Sequence, residues 1–261
     1  MSGSGRGPVT QEGPNWEPGY YFPAKTIQDY LTSIPPTEGA VEPRYLRSLK
    51  EKLAVMTHDD EFDPKMFAIE QEYQIESTWF LLADRLDANI PSNVDVQLHF
   101  DKETGTLRGQ IFAFQRRFGF APRFNRNHRL LWKADNFDFP LLASHGILLD
   151  STQIGTRPYR PCIGGRLLRI WEVPFSAVDI PLNLKAVYNV GASPAAPFRA
   201  GISPVVVLAH PFSVCERNAF RSCFQEAIDA ALANGYRFLS LSRFYDGYCS
   251  ASRKAQSKTG P

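Results

Sequence analysis

The sequence predicts an α/β chain whose strands curl into a β/α barrel, complete or distorted, and three observations carry that expectation. Seven or eight short apolar runs of strand length recur along the chain, several of them separated by segments of helical spacing. Three runs stop at a polar group: Leu53 to Asp60 at two adjacent acids, Ile147 to Asp150 at one acid, and Val205 to His210 at an imidazole. Apolar runs of this kind are what strands buried on both faces of a parallel sheet look like. The third observation is size, because 261 residues with 43% hydrophobic and 21% charged side chains suit one large domain better than two.

Taken in order, residues 1–24 are rich in Gly, Ser and Pro and read as a flexible tail, with Trp16, Tyr20, Tyr21 and Phe22 able to anchor its end. Residues 25–250 then form a single barrel domain, and 251–261 a flexible C-terminal tail. Ile27, Tyr30 and Leu31 have helical spacing. After the breaker Ile34-Pro35-Pro36, so do Tyr45, Leu46, Leu49 and Leu53. The strand Leu53 to Asp60 follows, and Asp63-Pro64 caps and starts a helix through Phe67, Ile69 and Glu70. Ile75 to Leu82 and Val94 to Phe100 read as strands, Leu107 to Phe118 as a helix, and Arg126 to Trp132 as a strand. Phe139 to Ser144 is a short helix that stops at His145-Gly146. Ile147 to Asp150, Leu167 to Val173 and Val205 to His210 are strands, with 176–203 a long loop between the last two. Phe224 to Ala233 sets Ala227, Ile228, Ala231 and Leu232 on one helical face, with Gly235 beyond its end, and Tyr236 to Leu241 closes the series.

The net charge of +2, with basic residues scattered among acids, argues against a nucleic-acid or membrane footprint. No apolar run approaches a membrane span, and the N-terminal stretch lacks the apolar segment of a signal peptide, so a cytoplasmic protein is expected. Cys162, Cys215, Cys223 and Cys249 show no metal-ribbon spacing and read as buried thiols, a Cys215–Cys223 disulfide being the alternative. The aromatic content of 13% fits a sugar-binding cleft or, by default, a β-rich core.

The chemistry collects at strand ends. His99, His128 and His210 sit at or beside them, as do Asp59, Asp60 and Asp150, and a parallel barrel brings its C-terminal strand ends to one face. Singly, each has a plainer reading: a solvated Asp-Asp turn, a satisfied core histidine, a helix cap at Asp150-Ser151-Thr152, a surface ion pair at Arg126. Together they suggest a divalent-ion site, zinc in the first place, with Asp60 and His99 as ligands and either His128 or Glu103 as the third. Water activated by that ion would meet Asp59 as general base, with Arg126 (or Arg123) orienting Asp59. His210 would act as general acid, and Asp150 would orient His210 or the arginine.

Thr57-His58-Asp59-Asp60 resembles the TFDD motif of the polysaccharide deacetylases, carbohydrate esterase family four, and Leu208-Ala209-His210 is similar to that family's closing LxH motif. The resemblance spans roughly 50–245 and implies a distorted (β/α)7-type barrel of the polysaccharide deacetylase kind. It implies that Asp59 is the base, Asp60 a metal ligand, His210 the acid and Leu208 part of the acetyl pocket, with Trp132 and Arg160 as further substrate-binding residues. The middle motifs depart from the family. His99 is followed at i+4 by Glu103 where the family has a second histidine, and Arg126-Asn127-His128 runs into Arg129-Leu130-Leu131-Trp132 rather than toward proline. In such a divergent branch His128 replaces the missing histidine. The implied activity is metal-dependent removal of an acyl group, acetyl first, from an N-acylated amino sugar or related carbohydrate. The alternative is a non-catalytic carbohydrate-binding or scaffolding member of the same fold.

Overall fold

The computed structural model describes residues 44–46, 49–84, 89–128, 138–178, 194–211 and 218–250. Its strands are β1 (Arg44–Tyr45), β2 (Leu53–Asp60), β3 (Ser77–Leu82), β4 (Asp95–Phe100), β5 (Phe124–Asn127), β6 (Leu149–Asp150), β7 (Tyr159–Arg160), β8 (Cys162–Ile163), β9 (Arg166–Leu167), β10 (Trp171–Glu172), β11 (Ala177–Val178), β12 (Val205–Ala209) and β13 (Arg237–Leu239). The helices are α1 (Pro64–Glu72), α2 (Leu107–Phe118), α3 (Asp138–Ser144), α4 (Ala196–Arg199), α5 (Asn218–Ala233) and α6 (Leu241–Phe244), the last running into a π-helical turn at Tyr245–Cys249.

The long strand β2, buried along its whole length, is the spine of the sheet. On one edge it pairs in parallel with β12 over Ala54–His58. A strand has only two edges, so β13, paired at Leu53–Val55, and β3, paired at Met56–Asp60, divide the other. From β3 the sheet runs through β4, β5, β6, β10 and β7 to β1, and from β12 it ends at β11. The result is a curled, half-closed sheet of the distorted (β/α)-barrel kind, with the hairpin β8–β9 outside it.

Period-2 alternation divides the core in two. Ala54, Met56, Trp79, Leu81, Leu98, Val205 and Val207 point outward and join Met66, Ile69, Phe114, Leu142, Phe224 and Ile228 from the surrounding helices. Leu53, Val55, Phe80, Phe124, Leu149, Val206 and Leu208 point inward and pack with Trp171, Phe175, Phe244 and Tyr245. Helix starts follow local chemistry. The Asp63 carboxylate accepts the Lys65 and Met66 N–H groups at 2.6 and 3.1 Å ahead of Pro64, and Thr106 Oγ1 accepts that of Gly109 at 3.2 Å. Helix α2 covers the predicted Leu107–Phe118 and stops at Gly119, whose φ is 79°.

Four expectations change. The helical spacing of Tyr45, Leu46, Leu49 and Leu53 is not a helix: Arg44–Tyr45 pairs antiparallel with β7, and Leu46 and Leu49 pack on the inner cluster. Leu167 to Val173 is not one strand, because Arg166–Leu167 folds back on β8 through Gly164-Gly165 and only Trp171–Glu172 joins the main sheet. Within 176–203, β11 and α4 interrupt the expected loop. Leu241 starts a helix instead of ending a strand, since Ser240 Oγ caps it by accepting the Arg243 N–H at 3.3 Å. Cys162 and Cys249 are buried free thiols. The expectations for the two tails, for Ile27, Tyr30 and Leu31, for 129–132 and for Cys215 lie outside the described residues.

Candidate active site

In-register neighbours on parallel strands share a face, so the register fixes which side chains meet. Leu208 pairs with Thr57, and Arg126 with His99, all on alternate positions that continue the inward face of Leu53, Val55, Phe124 and Val206. Asp59 and His210 fall on the same alternation. At the C-terminal strand ends the inner face therefore changes from apolar to polar, as the sequence predicts for a barrel rim.

Asp60 breaks the alternation. Continued extended backbone would send its carboxylate outward with Met56 and Leu81. Instead its φ is 76°, and the Glu61 N–H donates to the Asp59 carbonyl at 3.1 Å, the positive-φ form of the γ-turn, which is rare and strained for a residue other than glycine. The strand ends there, and the carboxylate lies 3.3 Å from His99 Nε2 and 3.4 Å from His128 Nε2. Adjacent acids thus reach one site.

Asp60, His99 and His128 each offer a ligand atom, all within 4.8 Å of one another and all buried. Glu103, the other candidate third ligand, is exposed and outside this group. Tautomers show what the trio lacks. His99 Nδ1 lies 3.0 Å from the Arg126 carbonyl, which can only accept, so Nδ1 carries the hydrogen and the neutral ring turns its Nε2 lone pair toward Asp60. An acceptor then faces an acceptor, and neither Asp60 oxygen has a donor in hydrogen-bonding geometry. A cation held between them resolves that contact, as does a proton on His99 Nε2. Two imidazole nitrogens and one carboxylate oxygen are a donor set that suits zinc, so the residues fit a divalent ion. Burial alone would raise the Asp60 carboxyl. A protonated His99, donating from Nε2 and adding its charge, together with the charges of protonated His210 and His128, outweighs burial and holds the carboxyl below the usual carboxylate range.

Beside this trio, Asp59 is held by Arg126. The fully buried guanidinium donates from Nη1 to Asp59 Oδ1 and to Thr57 Oγ1, both at 2.8 Å, from Nε to the Ser151 carbonyl at 2.7 Å, and from Nη2 to Ser151 Oγ at 2.8 Å. It stacks over Phe80 with its carbon 4.6 Å from the ring centre. Asp59 Oδ2, turned away from the arginine, lies 3.9 Å from His99 Nε2. His210 follows the end of β12, buried and close enough for its charge to act on Asp60. Leu208 is buried in the inner cluster two residues earlier.

Other expected site residues are placed elsewhere. Asp150 does not meet Arg126 or His210. Its register partners Asn125 and Glu172, the former in turn level with the outward-facing Leu98, lie on the outward face, where Asp150 accepts from Asn125 Nδ2 at 2.7 Å and the Thr152 N–H at 3.1 Å. Ser151, one residue on, faces inward and takes the arginine that Asp150 was expected to orient. Burial raises both the Asp150 and Glu172 carboxyls, Glu172 further because the Asp150 charge adds to it, so of the two Glu172 holds a proton to the higher pH. Arg160 is buried with its guanidinium donating to the Leu168 carbonyl. Arg123 pairs with Asp246, Nη2 to Oδ1 at 2.6 Å, and leaves the orienting role to Arg126. Trp132 lies outside the described residues. Sequence reasoning assigned no role to Thr57 or Ser151. The alternation from Asp59 was the available signal for Thr57, whereas Ser151 needs the pairing of β5 with β6.

This is the fold of the polysaccharide deacetylases. It superposes on a provisionally assigned polysaccharide deacetylase from Mycobacterium smegmatis with a TM-score of 0.55 at 18% identity, covering 81% of this chain and 96% of that one. The Xyl-CE4 domain of a multidomain xylanase from the hindgut metagenome of Trinervitermes trinervoides gives a TM-score of 0.47 at 15% identity, over 76% of this chain and 91% of its own. A family 4 acetyl xylan esterase from Clostridium thermocellum, solved with a cobalt ion, gives 0.44 at 15% identity over 74% and 90%. No protein-family model and no curated protein matches the sequence.

Proposed function

We propose that this chain is a metal-dependent hydrolase that removes an acyl group, acetyl in the first instance, from an N-acylated amino sugar or a related carbohydrate. The observation that carries the reading is the trio Asp60, His99 and His128, set with lone pair facing carboxylate beside an arginine-held Asp59. The three would hold a divalent ion, zinc in the first place, which when bound supplies Lewis acidity: it acidifies water and draws electron density from an acyl carbonyl.

The chain's own residues supply the rest. Arg126 fixes Asp59 through Oδ1 and leaves Oδ2 as the atom that takes the proton of the attacking water. As the carbon–nitrogen bond breaks, His210 gives a proton to the departing amine, and the acyl group leaves as its carboxylate. Leu208, on the same inward face, lines the space for the acyl methyl group. The polysaccharide deacetylase fold supports the carbohydrate class.

The test is acetate release from N-acetylglucosamine oligomers and from smaller N-acyl sugars, by protein loaded with zinc and by the same protein after chelation. Release is expected only from the loaded protein, and Asp59→Asn is expected to keep the ion while losing turnover. No release from any of these substrates by the loaded protein would overturn the reading.

A further inference from the structure

His128 has two ring nitrogens, and only the one facing Asp60 serves the trio. Its Nε2 lies 3.4 Å from Asp60 Oδ1 and its Nδ1 3.4 Å from Asp101 Oδ2, so the ring stands between two carboxylates. A neutral imidazole carries one hydrogen, and whichever nitrogen holds it cannot ligate an ion. For His99 the Arg126 carbonyl settles the choice. For His128 the two carboxylates stand at the same distance, and an ion engaging Nε2 beside Asp60 would leave the hydrogen to Nδ1, the nitrogen that faces Asp101.

The aspartate is built into its place. It is buried, two residues beyond His99. Its Oδ1 accepts the Glu103 N–H at 2.9 Å, an Asx-type turn that leaves Oδ2 for His128. The Gln110 side chain on α2 clamps its backbone from both ends, accepting the Asp101 N–H at 2.9 Å and donating to the Asp101 carbonyl at 2.5 Å. A carboxylate so fixed is an acceptor only; at 3.4 Å it is a charge contact and not a formed hydrogen bond, and it favours the hydrogen on Nδ1, which leaves a lone pair on Nε2.

We infer that Asp101 is a positioning residue that sets the tautomer of His128 and so completes the ion site, an inference that rests on the hydrolase reading of that site. Asp101 touches neither ion nor substrate and acts through the histidine. The resulting ligand arrangement differs from one built on a histidine four residues after His99, because here two sequence-distant ligands from neighbouring strands are each oriented by a group at the rim: a carbonyl for His99, a carboxylate for His128.

Asp101→Asn is the discriminating variant. Its amide oxygen keeps the bond from the Glu103 N–H, and its NH2 then replaces the acceptor facing Nδ1 by a donor, which moves the ring hydrogen to Nε2. Two measurements decide. Nitrogen-15 chemical shifts of the ion-free protein, with His128 assigned by difference against His128→Gln, are expected to show a larger share of Nδ1–H in the wild type than in Asp101→Asn. Zinc affinity by chelator competition is expected to fall about 10- to 100-fold in the variant, the usual cost of losing a group that orients a ligand, with thermal unfolding as the check that the fold is kept. An Asp101→Asn protein that takes up zinc as the wild type does, or whose His128 nitrogen shifts match the wild type's, overturns the inference. Should the wild type itself take up no zinc, the hydrolase reading fails, and with it the ion-site role of Asp101. The nitrogen shifts then still report whether Asp101 sets the tautomer.

Discussion

Replacing Glu172 by glutamine is expected to stabilise the protein, and by more as the pH rises above 4.5. Glu172 is fully buried in register with Asp150 on the neighbouring strand, its Oε1 accepting the Gln153 N–H at 3.0 Å. Burial first, and the Asp150 charge second, raise its carboxyl well above the ordinary value of 4.5. The folded state therefore keeps a proton that the unfolded chain releases above that pH. For an acid raised on folding the contribution to stability is whole below the unfolded value and is lost as pH climbs toward the folded one. While the folded carboxyl stays protonated, the retained proton costs about 1.4 kcal/mol for each pH unit above the unfolded value. Glutamine has nothing to titrate. Its NH2 replaces the acid O–H toward Asp150, and its oxygen still accepts from Gln153. Urea unfolding of both proteins at intervals from pH 4.5 to 7.5 measures the difference. A difference that stays flat with pH, or that favours the wild type increasingly, would refute the assignment of the shared proton to Glu172.

Two further outcomes follow from the site. Arg126→Leu strands the buried Asp59 carboxylate together with Thr57 and Ser151, and is expected to lower unfolding stability by about 3–5 kcal/mol. Arg126→Lys is expected to recover only part of this, because an ammonium cannot reproduce the planar fork to Ser151 and Asp59. A loss under 1 kcal/mol for the leucine variant in urea unfolding would contradict the buried pairing. Zinc uptake followed by chelator competition is expected to be unchanged in Glu103→Ala and sharply weakened in His128→Ala; the reverse order would move the third ligand to Glu103.

Much of the architecture was legible in local pattern. Leu53 to Asp60 is apolar and then acidic because the strand is buried until it reaches the rim, and that was readable without any partner strand. Asp63-Pro64, Thr106 and Gly119 mark helix ends through bonds made within a few residues, so α1 and α2 appear where their spacing predicts. The short strands between 159 and 178 were not legible as separate pieces, since strands of two residues carry no periodicity and exist only because longer neighbours offer them an edge.

The sequence by itself determined the long strands, the helix caps and which chemistry-bearing residues stand at strand ends, because those depend on burial and on hydrogen bonds between near neighbours. Tertiary structure decided which of those residues meet. Side-chain direction alternates every residue, so a shift of one place in pairing exchanges the faces: Asp150 turns outward to Glu172 while Ser151 turns inward to Arg126. The same register brings His128, and not Glu103, beside Asp60, and the strained turn at Asp60 returns to the site a carboxylate that simple alternation would have sent away.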